Sequence, residues 1–295
     1  MKQYLDLVKH VLDTGTRKES RTGVDTISTF NYNYEVDLKQ GFPLLTTKKI
    51  SWKNIVVENL WLFSGDTDIG LLKKHGCNFW SPWADKNGKV PSAYGNFWRH
   101  FPVPGRSLGG SHPHFANYYS LEFNDQIKWV LEELKRNPMS RRLVVSAWAP
   151  GNAQSSALPP CHYTWALNVQ NDEAGEQRLN LHLTIRSQDV PLGCPYNIAG
   201  YAFILSLISR ISGIKPGKFA STIIDAHIYV DQIEAMQEQL TREPRELPLL
   251  MINPNIRTLK DVEALINEDD TKELMGNFEL VGYNPHPAIK IPVAV

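Results

Sequence analysis

Residues 197–213, NIAGYAFILSLISRISG, put apolar side chains on almost every side of a helix. Such a helix has no face suited to water, so it predicts a buried central element with other layers packed around it. Other runs supply those layers. RRLVVSAW, YTWALNVQ, RLNLHLTI and KFASTIIDAHIYV are rich in β-branched and aromatic residues, and TISTFNYNYEVDL alternates, so all five read as strands. KQYLDLVKHVLDTG carries a stripe of Leu5, Val8 and Leu12 beside Leu7 and Val11, with Gly15 to close it. SWKNIVVENLWLFSG reads as a helix with Ser51 as N-cap and Gly65 as terminator. NDQIKWVLEELKRNP places Ile127, Val130, Leu131 and Leu134 on one face, and DQIEAMQEQL forms a further helix. The pattern is α+β, a sheet core with helices packed on it. The stretch 101–120, from Phe101 through Tyr119, is rich in Gly, Pro, Ser and His and reads as a surface insertion. Its His112 and His114 read as solvated rather than as metal ligands.

Thirty-one basic residues balance 31 acidic ones, so charge gives no reason to expect nucleic acid or a membrane surface. No apolar run is long enough to span a bilayer, and Met1 leads into a charged amphipathic segment, so no signal peptide is visible. Cys77, Cys161 and Cys194 are odd in number and widely spaced. They match neither a zinc pattern nor a disulfide framework, and a reducing cytosol is the simplest setting.

Several polar residues stand out. Glu58 lies among Ile55, Val56, Val57, Leu60, Trp61 and Leu62, and shares a face with residues 55 and 62. A buried carboxylate has a raised pKa and suits proton transfer near neutral pH. The competing readings are a core Glu paired with an Arg, or an edge position facing water. Cys161 follows Pro159 and Pro160, a stiff approach. It is either a small buried hydrophobe or a nucleophile that needs nearby cations. His162 is adjacent, but adjacent strand residues point to opposite faces, so it is not automatically a base. Arg21, Arg141, Arg142 and Arg186 sit near loop edges, where they either converge on a phosphate or make ordinary surface pairs. Asp225, His227 and Tyr229 share one face of a strand, lining a wet pocket or simply facing solvent.

The blocks PLLTTKK, ENLWLFSGDT, AYGNFWR, NPMSRR, LPPCH, RSQDVPLGCPYNIAGYA, DAHIYV and GYNPHPAIKIPVAV together resemble the thymidylate synthase family, in its order and over essentially the whole chain. The resemblance implies one catalytic domain over 1–295: a large mixed β-sheet covered by helices, with one sheet face forming a homodimer interface. It implies dUMP and 5,10-methylenetetrahydrofolate as substrates, and no metal. Cys161 matches the nucleophile that adds to carbon 6 of the uracil ring. Arg186 matches a phosphate ligand whose charge would favour the thiolate. Glu58 matches the carboxylate that moves protons through water, Tyr94 the group that helps remove the carbon 5 proton, and His162 part of the water network. Arg21, Arg186 and Ser187 match phosphate ligands, with Arg141 and Arg142 supplied by the other subunit. Asn197 matches the reader of the pyrimidine; cytosine-specific relatives carry Asp there. Gln188 belongs to the substrate wall, and His227 and Tyr229 match groups on the sugar hydroxyl. Asp189 matches the pterin-binding carboxylate. Trp80, Trp83, Gly193, Tyr196 and the terminal Val295 match the folate site and its lid.

Departures from the pattern are Ser51, Ser81-Pro82 after Trp80, the SAYG lead, Phe97, Ile185 and Gly200. Retained Trp80 and the KIPVAV tail favour hydride transfer and a methyl product, hence thymidylate synthase. The altered polar positions favour a rewired water network and a dUMP hydroxymethylase. A third reading is an idle homologue that binds RNA, which the retained Glu58, Tyr94, Cys161, Arg186, Asp189 and Asn197 and the neutral charge oppose. The cytoplasm, or a host cytoplasm for a viral protein, fits each enzyme reading.

Overall fold

The computed structural model describes residues 1–102, 123–153, 156 and 158–293. Most of the 101–120 stretch, with His112 and His114, lies outside the described residues, as does Val295. Helix α1 (Lys2–Thr14) leads to strands β1 (Thr16–Lys18) and β2 (Thr26–Asp37). Helices α2 (Trp52–Ser64), α3 (Tyr94–Arg99) and α4 (Gln126–Arg136) follow. Strands β3 (Val144–Ser146), β4 (His162–Asn171), β5 (Gln177–Ile185) and β6 (Gln188–Asp189) come next. Helix α5 (Gly193–Ser212) then connects to β7 (Lys215–Tyr229).

The seven strands form one mixed sheet, ordered β1-β2-β7-β5-β4-β3, with β6 against β7. β7 runs parallel to β5 and β6, and the remaining pairs are antiparallel. A parallel pair cannot be joined by a hairpin; it needs a crossover, and α5 is that crossover. This explains the all-apolar segment. Ile198, Tyr201, Phe203, Leu205 and Ile208 are buried, with α5 packed on β5 and β7 on one side and on α2 on the other. Each such side chain contributes roughly 1.5–3 kcal/mol when taken from water.

On the α5 side of the sheet Leu181, Leu183, Phe219, Ser221 and Ile223 are buried. The alternating residues Asn168, His182, Lys218, Ala220 and Thr222 belong to the other face, with no buried position among them. The RRLVVSAW run yields only the short edge strand β3, and the Gln126 amide of α4 covers its outer edge at Ser146, donating to the Ser146 carbonyl at 2.8 Å and accepting from its N–H at 2.9 Å. Both expected caps of α2 form: Ser51 Oγ accepts from Asn54 N at 3.4 Å, and Gly65 takes the left-handed conformation at φ 73°.

Candidate active site

The candidate residues gather where β4 begins and β5 ends. Antiparallel pairing of those strands lets the Arg186 N–H donate to the Cys161 carbonyl at 2.9 Å. A bulge falls between His162↔Ile185 and Thr164↔Thr184, re-aiming the first residues of β4. The Arg186 guanidinium is tethered by the two proline carbonyls of the stiff approach: Nε donates to Pro160 at 2.9 Å and Nη2 to Pro159 at 2.7 Å. The same Nη2 lies 3.5 Å from Cys161 Sγ. The prolines thus position both the thiol and its cation.

Tyr94 reaches this point because α3 presses against α2. A Cβ on Gly95 would stand 2.0 Å from the Leu62 carbonyl oxygen, so glycine is required for the close approach. The Tyr94 hydroxyl accepts from the Cys161 N–H at 3.4 Å, and its ring meets that of His162 edge-on at 4.0 Å. His162 Nδ1 pairs with the Tyr201 hydroxyl at 2.7 Å. Glu58 projects from α2 and accepts from Trp80 Nε1 at 2.8 Å. Trp80 packs between Trp61 and Tyr94. Among the described residues the hydrogen-bond partner of Glu58 is Trp80 rather than an arginine, and the helix it leaves from packs in the interior rather than at an edge.

β6 brings Asp189 opposite His227 on β7. Asp189 Oδ1 accepts from the Leu192 N–H at 2.8 Å. Asn197 Nδ2 donates to Gln188 Oε1 at 3.0 Å. Asp225, His227 and Tyr229 do share a face: Asp225 Oδ1 lies 3.1 Å from His227 Nδ1, and the rings of His227 and Tyr229 are 5.4 Å apart. Tyr196 meets Phe79 edge-on, and the exposed Arg21 stands 5.9 Å over the Trp83 ring. Ser187 and Gly193 are half-buried beside these groups. Arg141 and Arg142 are exposed in the turn before β3, and no described bond ties their side chains to the Cys161 cluster.

Burial dominates the electrostatics. It pushes the Glu58 carboxyl up to about 7, against the Trp80 hydrogen bond, so this group exchanges a proton near neutral pH. It pushes His162 down to about 3, which keeps the imidazole neutral. Arg186 does favour the thiolate of Cys161, but it is not the largest influence on that thiol. Burial raises the thiol more than Arg186, Tyr94 and Arg21 lower it, so the resting form is the thiol. Asp189 is likewise raised by burial, opposed first by the Leu192 N–H. Two further groups belong to the neighbourhood. Tyr201, one turn beyond Asn197, was legible from i,i+4 spacing. Buried Lys48 donates to the Pro191 carbonyl at 2.5 Å and is lowered to about 8 by burial; its TTKK context reads as surface, so nothing local marked it.

A sequence model of the thymidylate synthase family matches residues 2–295, and the chain belongs to that family. Its members are one-carbon transferases that use methylenetetrahydrofolate as co-substrate.

Proposed function

We propose that this protein is a thymidylate synthase, converting dUMP and 5,10-methylenetetrahydrofolate to dTMP and dihydrofolate. The observation that carries the reading is the thiol of Cys161 held 3.5 Å from a guanidinium that two proline carbonyls immobilise. Such a pair suits a nucleophile acting beside a bound phosphate. Arg186, Arg21 and Ser187 take the phosphate, His227 and Tyr229 the sugar hydroxyl, and Asn197, backed by Gln188, the pyrimidine edge. Cys161 adds to carbon 6 of the ring. Because the resting thiol is protonated, it must lose its proton as it adds. Glu58, poised near neutrality, relays protons to and from the ring carbonyl, with neutral His162 ordering the water between. The folate supplies the one-carbon unit to carbon 5; Tyr94 helps remove the carbon 5 proton, the Cys161–carbon 6 bond breaks, and hydride from the folate reduces the methylene to methyl, leaving dihydrofolate. Its pterin suits the Asp189 carboxylate and the aromatic walls of Trp80, Trp83 and Tyr196, over Gly193, with Val295 as part of the lid.

The residues 1–295 act as one catalytic domain, and the enzyme works as a homodimer in which Arg141 and Arg142 reach the partner's phosphate. Two features support this. Both arginines are exposed. The sheet face away from α5 bears a cavity of about 380 Å³, lined in part by Asn168, His182 and Lys218. Hydride transfer is favoured over water capture because the retained Trp80 is buried against Trp61 and Tyr94 and donates to Glu58, an apolar wall beside the proton carrier. The deciding experiment is mass analysis of products from dUMP and methylenetetrahydrofolate. A methylated nucleotide with dihydrofolate is expected. A hydroxymethylated nucleotide with tetrahydrofolate would make the protein a dUMP hydroxymethylase instead.

A further inference from the structure

Gln188 opens β6 and is 3% exposed. A buried amide must satisfy both its ends. Its Nε2 donates to the Asp189 carbonyl at 3.1 Å, and its Oε1 accepts from Asn197 Nδ2 at 3.0 Å. Gly193 leaves the room this needs, since a Cβ there would stand 2.8 Å from Nε2. The chain of bonds has a fixed polarity. A backbone carbonyl can only accept, so it holds Gln188 with Nε2 inward and Oε1 outward. Oε1 can only accept, so it holds Asn197 with Nδ2 toward Gln188. Rotating either amide by half a turn would press two acceptor oxygens together and leave a buried group unpaired.

That polarity has a consequence for recognition. Uracil offers a donor at N3 and an acceptor at O4, whereas cytosine offers an acceptor at N3 and a donor at N4. An asparagine amide reads either pattern, because half a turn exchanges its donor and acceptor. Asparagine alone is therefore a poor discriminator. We propose that Gln188 is a positioning residue that locks the Asn197 amide in its uracil-reading orientation, with the Asp189 carbonyl as the fixed end of the lock. The inference rests on the proposed reading of the site as a dUMP pocket. It places part of the base specificity one residue away from the group that touches the base.

The test is calorimetric binding of dUMP and dCMP to the wild-type protein and to Gln188→Met and Gln188→Glu, with thermal melting to check folding. Methionine keeps the volume and removes both bonds, so the dUMP preference should fall about tenfold, the worth of one net hydrogen bond. The fall should come from tighter dCMP binding. Glutamate in its protonated form donates to the Asp189 carbonyl and accepts from Asn197, so at acid pH it should keep the wild-type ratio. If the methionine variant does not fold, Gln188→Leu takes its place. An unchanged ratio in the apolar variant, or an equal loss of both affinities, overturns the lock. A wild-type protein that binds neither nucleotide overturns the proposed function itself, and the lock with it.

Discussion

Replacing Glu58 with glutamine should stabilise the protein, and the gain should grow with pH. The carboxyl sits at about 7 in the fold against 4.5 when unperturbed, because burial outweighs the Trp80 hydrogen bond. Between those values the folded state holds a proton that the unfolded state has released. Stability therefore falls as pH rises from the unfolded value through the folded one, and below the unfolded value no difference remains. The gap corresponds to about 3 kcal/mol, and partial solvent access to the side chain reduces it to about 2 kcal/mol. Glutamine has no charge to bury, and its Oε1 still accepts from Trp80. Urea unfolding of both proteins at a fixed concentration, from about pH 4 to about pH 8, isolates the effect, since all other groups cancel in the difference. The variant should be no more stable at the acid end and about 2 kcal/mol more stable at the alkaline end. A difference that stays flat across this range would mean that Glu58 ionises as in water. Its proposed work as a proton carrier near neutrality would then lose its physical basis.

Cys161→Ala should abolish turnover while dUMP still binds, because the phosphate and base contacts remain; retained turnover would remove the covalent mechanism. Arg186→Ala should slow alkylation of Cys161 by iodoacetamide about tenfold near pH 8, since the guanidinium is the largest influence lowering a thiol that burial raises. An unchanged rate would show that the 3.5 Å contact carries no charge effect. Gly200→Ala should cost about 1 kcal/mol, because the new Cβ would stand 2.9 Å from Asn59 Nδ2. The added Asn59→Ala should recover it, and additive costs in the double variant would show the two sites to be independent.

Periodicity made much of the fold legible. The stripe of α1, both caps of α2 and the all-round apolar character of α5 follow from residue spacing alone, and each element forms where expected. Contacts between distant segments were not legible in that way. Nothing in the spacing of Cys161 and Arg186 states that β4 and β5 pair so that the guanidinium meets the two proline carbonyls beside the thiol. The family resemblance carried that step. Burial was the other quantity that residue spacing did not give. A nearby cation suggested an ionised thiol, but desolvation of Cys161 exceeds the help from Arg186.

The helix that most constrains the fold also explains why the site lies where it does. α5 is apolar along most of its length because it is the crossover between parallel strands and is covered on two sides. Its polar side chains near the start, Asn197 and Tyr201, therefore have little water available and must find partners in the protein. They find them at the ends of the central strands: Gln188 on β6 for Asn197, and His162 on β4 for Tyr201. Once such pairs form, their donor and acceptor directions are fixed by atoms that cannot turn, as at the Asp189 carbonyl. An exposed asparagine would reorient freely and read either pyrimidine. The same enclosure that stabilises the crossover thus converts a few polar groups into a directional recognition surface, and substitutions that let water into the first turn of α5 should loosen base selection before they unfold the sheet.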